Sequence, residues 1–159
     1  MAIWQFGLHF IPSNVATVQG ITAGSRITDT QREELIQWKT KPLHSEVFDR
    51  LRQLFTIGKS WSENLEVLGD LESTCVTILR ERDRVIEAEA RLDLRTVSAE
   101  IINAILDFST AINCQLLTDD NKVINPSLPE LKFEIKASAA YRFVKDPRGF
   151  IADLASDME

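Results

Sequence analysis

The run RVIEAEARLDLR, residues 84 to 95, holds the densest chemistry in the chain. Glu87, Glu89 and Asp93 alternate with Ile86, Ala88, Ala90, Leu92 and Leu94, and Arg91 and Arg95 are interleaved with the acids. On a strand, residues two apart share a face and lie about 6.5 to 7 Å from one another. Glycosidase acid/base pairs work at such separations. A catalytic acid, however, needs surroundings that raise its pKa, and the two arginines balance the row locally. The alternation therefore reads as a dry aliphatic face under a cover and an ionised face meeting water. Glu87, Glu89 and Asp93 become candidates for contact with a partner, and no residue is assigned a catalytic role.

Other arrangements give less. His9 and His44 are the only histidines, and no HExxH, CxxC or calcium-loop spacing accompanies them, so no metal or cofactor is expected. Asp119, Asp120 and Asn121 read as a turn, whose geometry these residue types tolerate. G-x-S-x-G and the glycine-rich phosphate loops are absent. Cys75 and Cys114 fall in apolar runs, where burial makes a thiol inert, and they fit a reducing compartment.

Between Ser60 and Leu79 there are four acids, Glu63, Glu66, Asp70 and Glu72, with no Lys or Arg and with Trp61 alongside. An acidic patch beside an aromatic can steer and hold a basic protein surface. Trp61, Glu63, Glu66, Asp70 and Glu72 join the candidate contact set. The competing reading is a polar strand edge with Trp61 buried.

The chain of 159 residues is one ordinary domain, 44% apolar and 26% charged, with a formal net charge of −6. That charge argues against nucleic acid and anionic membranes as partners. It permits a basic protein partner. No apolar run approaches the ~20 residues of a membrane helix. The opening MAIWQFGLHF lacks a basic start and a cleavage site, so a strand is expected there rather than a signal peptide, and the location is read as cytoplasmic.

The elements that must position these residues follow from periodicity. Residues 2 to 11 alternate as a strand, with Trp4, Phe6, Leu8 and Phe10 opposite Gln5, Gly7 and His9. Residues 13 to 26 read as a loop or short edge strand. A helix is expected over Thr28–Lys39, and a second from Leu43 to Phe55, ended by Gly58. A short strand near Leu65–Leu68 precedes a Gly69-Asp70 turn. STCVTILR and the opening run flank the turn Glu81–Arg84 as an antiparallel hairpin. Ser98 caps a helix carrying Ile101, Ile102, Ile105, Leu106, Phe108 and Ile112, the expected cover of the hairpin. CQLLT is a strand, VIN a brief return arm, and a helix follows Pro126 and Pro129. Tyr141, Phe143 and Val144 look extended, and Asp146-Pro147 starts a last helix. The sum is a single α+β domain over residues 1 to 159, with an antiparallel or mixed sheet and helices packed mainly on one face. Residues 1 to 58 supply a strand and helices, and residues 59 to 159 supply the hairpin, helix, strand and final helices.

From Lys59 onward, KSWSENLEVLGDLES, a charged hairpin ending ARLDLR, a helix, CQLLTDDNKVINPS and SAAYRFVKDPRGF follow in order. This order resembles small bacterial proteins of mixed α/β build on the immunity side of toxin–immunity systems. The resemblance covers residues 59 to 159 and carries no catalytic signature. It implies a non-catalytic protein that blocks a cognate toxin by binding and occluding it. It assigns no binding residues, because such proteins differ most where they bind. Two other readings stay open: a small hydrolase or transferase whose pocket gathers distant groups such as His9, His44 and Glu87, and a structural subunit of a homo-oligomer.

Overall fold

A computed structural model of the chain describes residues 1–38 and 42–157. At its centre lies strand β1, Gln5–Pro12, in which every residue is buried. The alternation of this segment predicts one dry side, and the structure covers both. β1 runs antiparallel between β5 (Arg84–Asp93) and β6 (Cys114–Thr118), with Phe6 opposite Leu92, Leu8 opposite Ala90 and Phe10 opposite Leu116. β4 (Cys75–Glu81) pairs with β5, and β3 (Leu65–Gly69) with β4. β7 (Val123–Ile124) pairs with β6, and β2 (Leu43–His44) with the first residues of β5. The sheet order is β3-β4-β5-β1-β6-β7, with β2 off this path, and every pairing is antiparallel.

Register sorts the side chains. Leu68, Val76, Ile78, Ala88, Ala90, Leu92, Phe6, Leu8, Phe10, Leu116 and Ile124 share one face and form the main core. Helix α4 (Ala99–Ala111) covers it, started by Ser98, whose Oγ accepts the Ile101 N–H at 3.3 Å. Phe108 of α4 stands edge-on to Phe10, with 5.4 Å between ring centroids, and 4.8 Å from Phe48. Phe48 ends the 3₁₀ turn Ser45–Phe48, which leads into the single-turn helix α3 (Asp49–Arg52). Leu131 of α5 (Leu128–Ala137) and Ala140 of α6 (Ala139–Lys145) are buried at the other end. Phe150 of α7 (Pro147–Asp157) packs edge-on against Phe143 of α6.

On the opposite face a second apolar cluster spans one half only, while Val67, Cys75 and Thr77 are buried on the other half. Helices α1 (Ser13–Val18) and α2 (Asp29–Leu35) enclose a second cluster of Ile11, Ala16, Ile21, Ile27, Leu35, Leu117 and Val123. This cluster contains strand residues from β1, β6 and β7 and none from β3, β4 or β5. Both sheet edges are blunted. Gly58 donates to the Val67 carbonyl and Gly69 to the Thr56 carbonyl along β3, while Gly24 donates to Val123 and Val123 to Ser25 along β7. Short flanking segments thus consume backbone groups that would otherwise template a further strand. No helix among the described residues is long and apolar enough to cross a membrane.

Five expectations need correction. Ser13–Val18 is helical rather than loop or edge strand, because burying Ala16 against β1 outweighs the weak local propensity of SNVATV. Leu43 and His44 extend the sheet against Val85 and Arg84, so the second helix shrinks to a 3₁₀ turn and one α-turn. Tyr141–Val144 is helical, because Ser138 Oγ accepts the Tyr141 N–H at 3.2 Å and Ala140 faces the core. A β-bulge between Leu79 and Arg80 of β4 and the start of β5 shifts parity there. Val85 therefore enters the core and Ile86 is only half-buried. The first helix keeps its Thr28 cap, in a reciprocal pair with Gln31, but ends at Leu35, and Lys39 lies outside the described residues.

Candidate functional site

The charged row of β5 sits on the half-open face, and its neighbour across the ladder decides its chemistry. Glu89 lies opposite Thr77 of β4 on one side and His9 of β1 on the other. His9 is buried, and its Nε2 stands 3.4 Å from Glu87 Oε1 and 3.2 Å from Glu89 Oε2. Its Nδ1 is 3.0 Å from Nη2 of Arg32, on α2. Arg32 also donates through Nη1 to the Thr118 carbonyl at 2.8 Å and to Asn121 Oδ1 at 3.1 Å. A guanidinium has no acceptor, so Nδ1 accepts and the proton of a neutral ring sits on Nε2, facing the two carboxylates. In that tautomer Nε2 is a donor and has no lone pair for a metal. Glu89 Oε1 in turn accepts from Arg91 Nε at 3.0 Å and Nη2 at 2.8 Å. Asp119 reaches over Gly7 to lie 3.8 Å from Arg32, and a Cβ on Gly7 would meet its Oδ2 at 2.5 Å.

The row is thus a half-buried network rather than a plain wet face, and its members do not behave alike. Asp93 is corrected most: expected to meet water, it is 1% exposed. It accepts from Arg95 Nε at 3.0 Å, Arg95 Nη2 at 2.8 Å and Ser73 Oγ at 3.0 Å. The Arg95 guanidinium holds its carboxyl below the usual range and also stacks 3.9 Å over the Trp4 ring. Asp93 ties the β3–β4 turn to the end of β5 and is not available to a partner. Glu89 and Arg91 satisfy one another. Glu87 has His9 Nε2 at 3.4 Å and no Lys or Arg ion pair among the described residues.

The acidic stretch divides in the same way. Glu66 is turned inward and accepts from Arg52 Nε at 2.8 Å and Nη2 at 2.9 Å, with Arg80 at 3.5 Å. The Arg52 guanidinium lowers its carboxyl below the usual range. Glu66 therefore leaves the expected contact set, because its cations come from just outside the stretch, across the ladder and from α3. Asp70 shapes the turn, its Oδ1 accepting the Glu72 N–H at 2.9 Å. Glu63, Asp70 and Glu72 are exposed. Gly69, at φ 93, needs the left-handed backbone that favours glycine, and a Cβ there would strike the Thr74 carbonyl.

Trp61 is 75% exposed, which sets aside its burial in a strand edge. With Leu65, Thr77, Leu79, Glu87, Glu89 and Arg91 it lines a hollow of about 150 Å³ on the half-open face. This hollow is the place where predicted residues from the acidic stretch and from the β5 row come together.

Nucleophilic chemistry finds poor support in this geometry. Cys75 lies opposite Arg91 but is fully buried, and burial pushes its thiol up to about 11. Burial also pushes the Cys114 thiol up to about 12. His44 pairs with Arg84 at the far start of β5, so the constellation His9, His44 and Glu87 keeps only its first and last members. Among the described residues no group of three or more His, Cys, Asp and Glu side chains is placed to hold a metal ion. Sequence reasoning placed Arg91 in the row as a local charge balance, but it did not single out Arg32, Leu65, Thr77 or Leu79 as site residues. The alternation of β1 placed His9 on the polar side, but nothing local stated that β1 lies beside β5.

No protein-family model, curated protein or solved structure matches this chain.

Proposed function

We propose that the protein is a non-catalytic binding protein, an immunity-type inhibitor that occludes a basic toxin in the bacterial cytoplasm through the half-open face of its sheet. The observation that carries this reading is the placement of Trp61. A large aromatic left 75% exposed lines a hollow together with Glu87, a carboxylate with no Lys or Arg ion pair among the described residues. Aromatic anchors surrounded by a polar rim contribute most of the energy in protein interfaces. A net charge of −6 favours encounter with a basic surface. The immunity assignment itself draws on the resemblance of residues 59 to 159, and the surface draws on the geometry.

The test is to clone the genes flanking this one and to co-express any product that is toxic to the host with this protein. A stable complex and protection of the host cell are expected. Trp61→Ala with Glu87→Lys is expected to abolish protection while leaving the urea midpoint unchanged. Undiminished protection by that folded double variant would reject the surface, and absence of both complex and protection would reject the immunity reading.

A further inference from the structure

Among the described residues, one trio of tryptophan, guanidinium and carboxylate is complete. At the end of β5 the Arg95 guanidinium lies 3.9 Å over the Trp4 ring and makes two hydrogen bonds to Asp93. Farther back on the same strand, and on the same face, the hollow presents two of the three parts. Trp61 supplies an exposed ring and Glu87 a carboxylate with no Lys or Arg ion pair among the described residues. Arg91 also lines this hollow, but both its Nε and its Nη2 are committed to Glu89 Oε1. The lining therefore holds two carboxylates against one guanidinium. Leu65 and Leu79 give the apolar wall that an aliphatic stem needs.

We propose that this hollow receives a single arginine side chain from the partner, its guanidinium stacked on Trp61 and hydrogen-bonded to Glu87. The proposal rests on the reading of this face as a contact surface and names the group it recognises. Arginine fits better than lysine because a planar guanidinium stacks on an indole and offers paired donors to a carboxylate, whereas an ammonium is a compact, strongly hydrated point charge. The volume, about 150 Å³, suits one side chain rather than a peptide segment.

The experiment uses the full ¹⁵N-labelled chain and four probes: acetyl-Gly-Arg-Gly-amide and its Lys, norleucine and Glu counterparts. The readout is the indole N–H resonance of Trp61, assigned with Trp61→Phe. The Arg peptide is expected to shift this resonance saturably, the norleucine and Glu peptides not at all, and Glu87→Gln to weaken the Arg titration by about fivefold, the order of a half-exposed ion pair. Glu63→Gln, which alters an exposed acid outside the hollow, is expected to leave it unchanged. Equal response to norleucine, no response to arginine, or an unaltered titration in Glu87→Gln would overturn the proposal, and equal affinity for the Lys peptide would overturn the guanidinium assignment. A failed titration with intact toxin protection removes the arginine anchor alone. A sound titration without toxin protection removes the immunity reading and leaves the arginine site standing.

Discussion

At the scale of single residues, the polar groups divide into those that hold the fold and those left for contact. Asp93 and Glu66 belong to the first kind. Arg95 and Arg52 hold their carboxyls below the ordinary range in the folded state, so the unfolded chain takes up protons more readily at these two sites. Their stabilisation is complete above the ordinary carboxylate pKa of roughly 4 and is lost as the pH falls through the lowered folded values. Urea midpoints should therefore hold steady with respect to these groups down to about pH 5 and decline below it. Asp93→Asn should flatten that decline, and an identical acid slope in wild type and variant would contradict the assignment. His9 gives a second check. In long-range ¹H–¹⁵N spectra, a His9 ring holding one proton should carry it on Nε2, because Arg32 can only donate to Nδ1. A proton on Nδ1 would show that the Arg32 contact is not formed in solution.

At the scale of elements, legibility in the sequence followed the strength of the local signal. The helix after Ser98 was readable because an N-cap and a 3.6-residue apolar stripe agree. The hairpin was readable because period-2 alternation flanks a polar turn. Three features were not. Ser13–Val18 and Ala139–Lys145 are helices made by burial of Ala16 and Ala140, and a single small residue leaves little trace in a pattern. The bulge at Ile86 hides because one extra residue in a strand shifts parity without changing composition. α4 should behave as the lid of the main core. Phe108→Ala, which empties the space between Phe10 and Phe48, is expected to cost about 3 to 5 kcal/mol in chemical denaturation. Ser98→Ala removes only the cap and should cost about 1 kcal/mol. Equal effects from the two would mean that α4 is held by its own ends rather than by packing.

At the scale of the whole molecule, short segments blunt both sheet edges, the main core lies on one face, and the second apolar cluster spans half of the other. The remaining half carries the hollow, the exposed Trp61, and Glu87, which has no Lys or Arg ion pair among the described residues. The α+β class and the main core were legible in the sequence because alternation sorts each strand by face. The candidate site was legible only in part. Trp61, Glu87 and Glu89 were named from local pattern, but the neutralisation of Glu66 and the burial of Asp93 depend on Arg52, Arg80 and Ser73 arriving through strand pairing and turns. Charge counted in a window of sequence cannot include a cation from the neighbouring strand. The partner proposed for this face is a basic toxin, and the most direct measurement is calorimetric affinity for a toxic domain taken from the genes flanking this one, with urea unfolding run on the same samples. The account predicts that Trp61→Ala with Glu87→Lys weakens binding by about thirtyfold or more, the scale of an interface hot spot, at an unchanged urea midpoint. A folded double variant that binds as tightly as the wild type would contradict it.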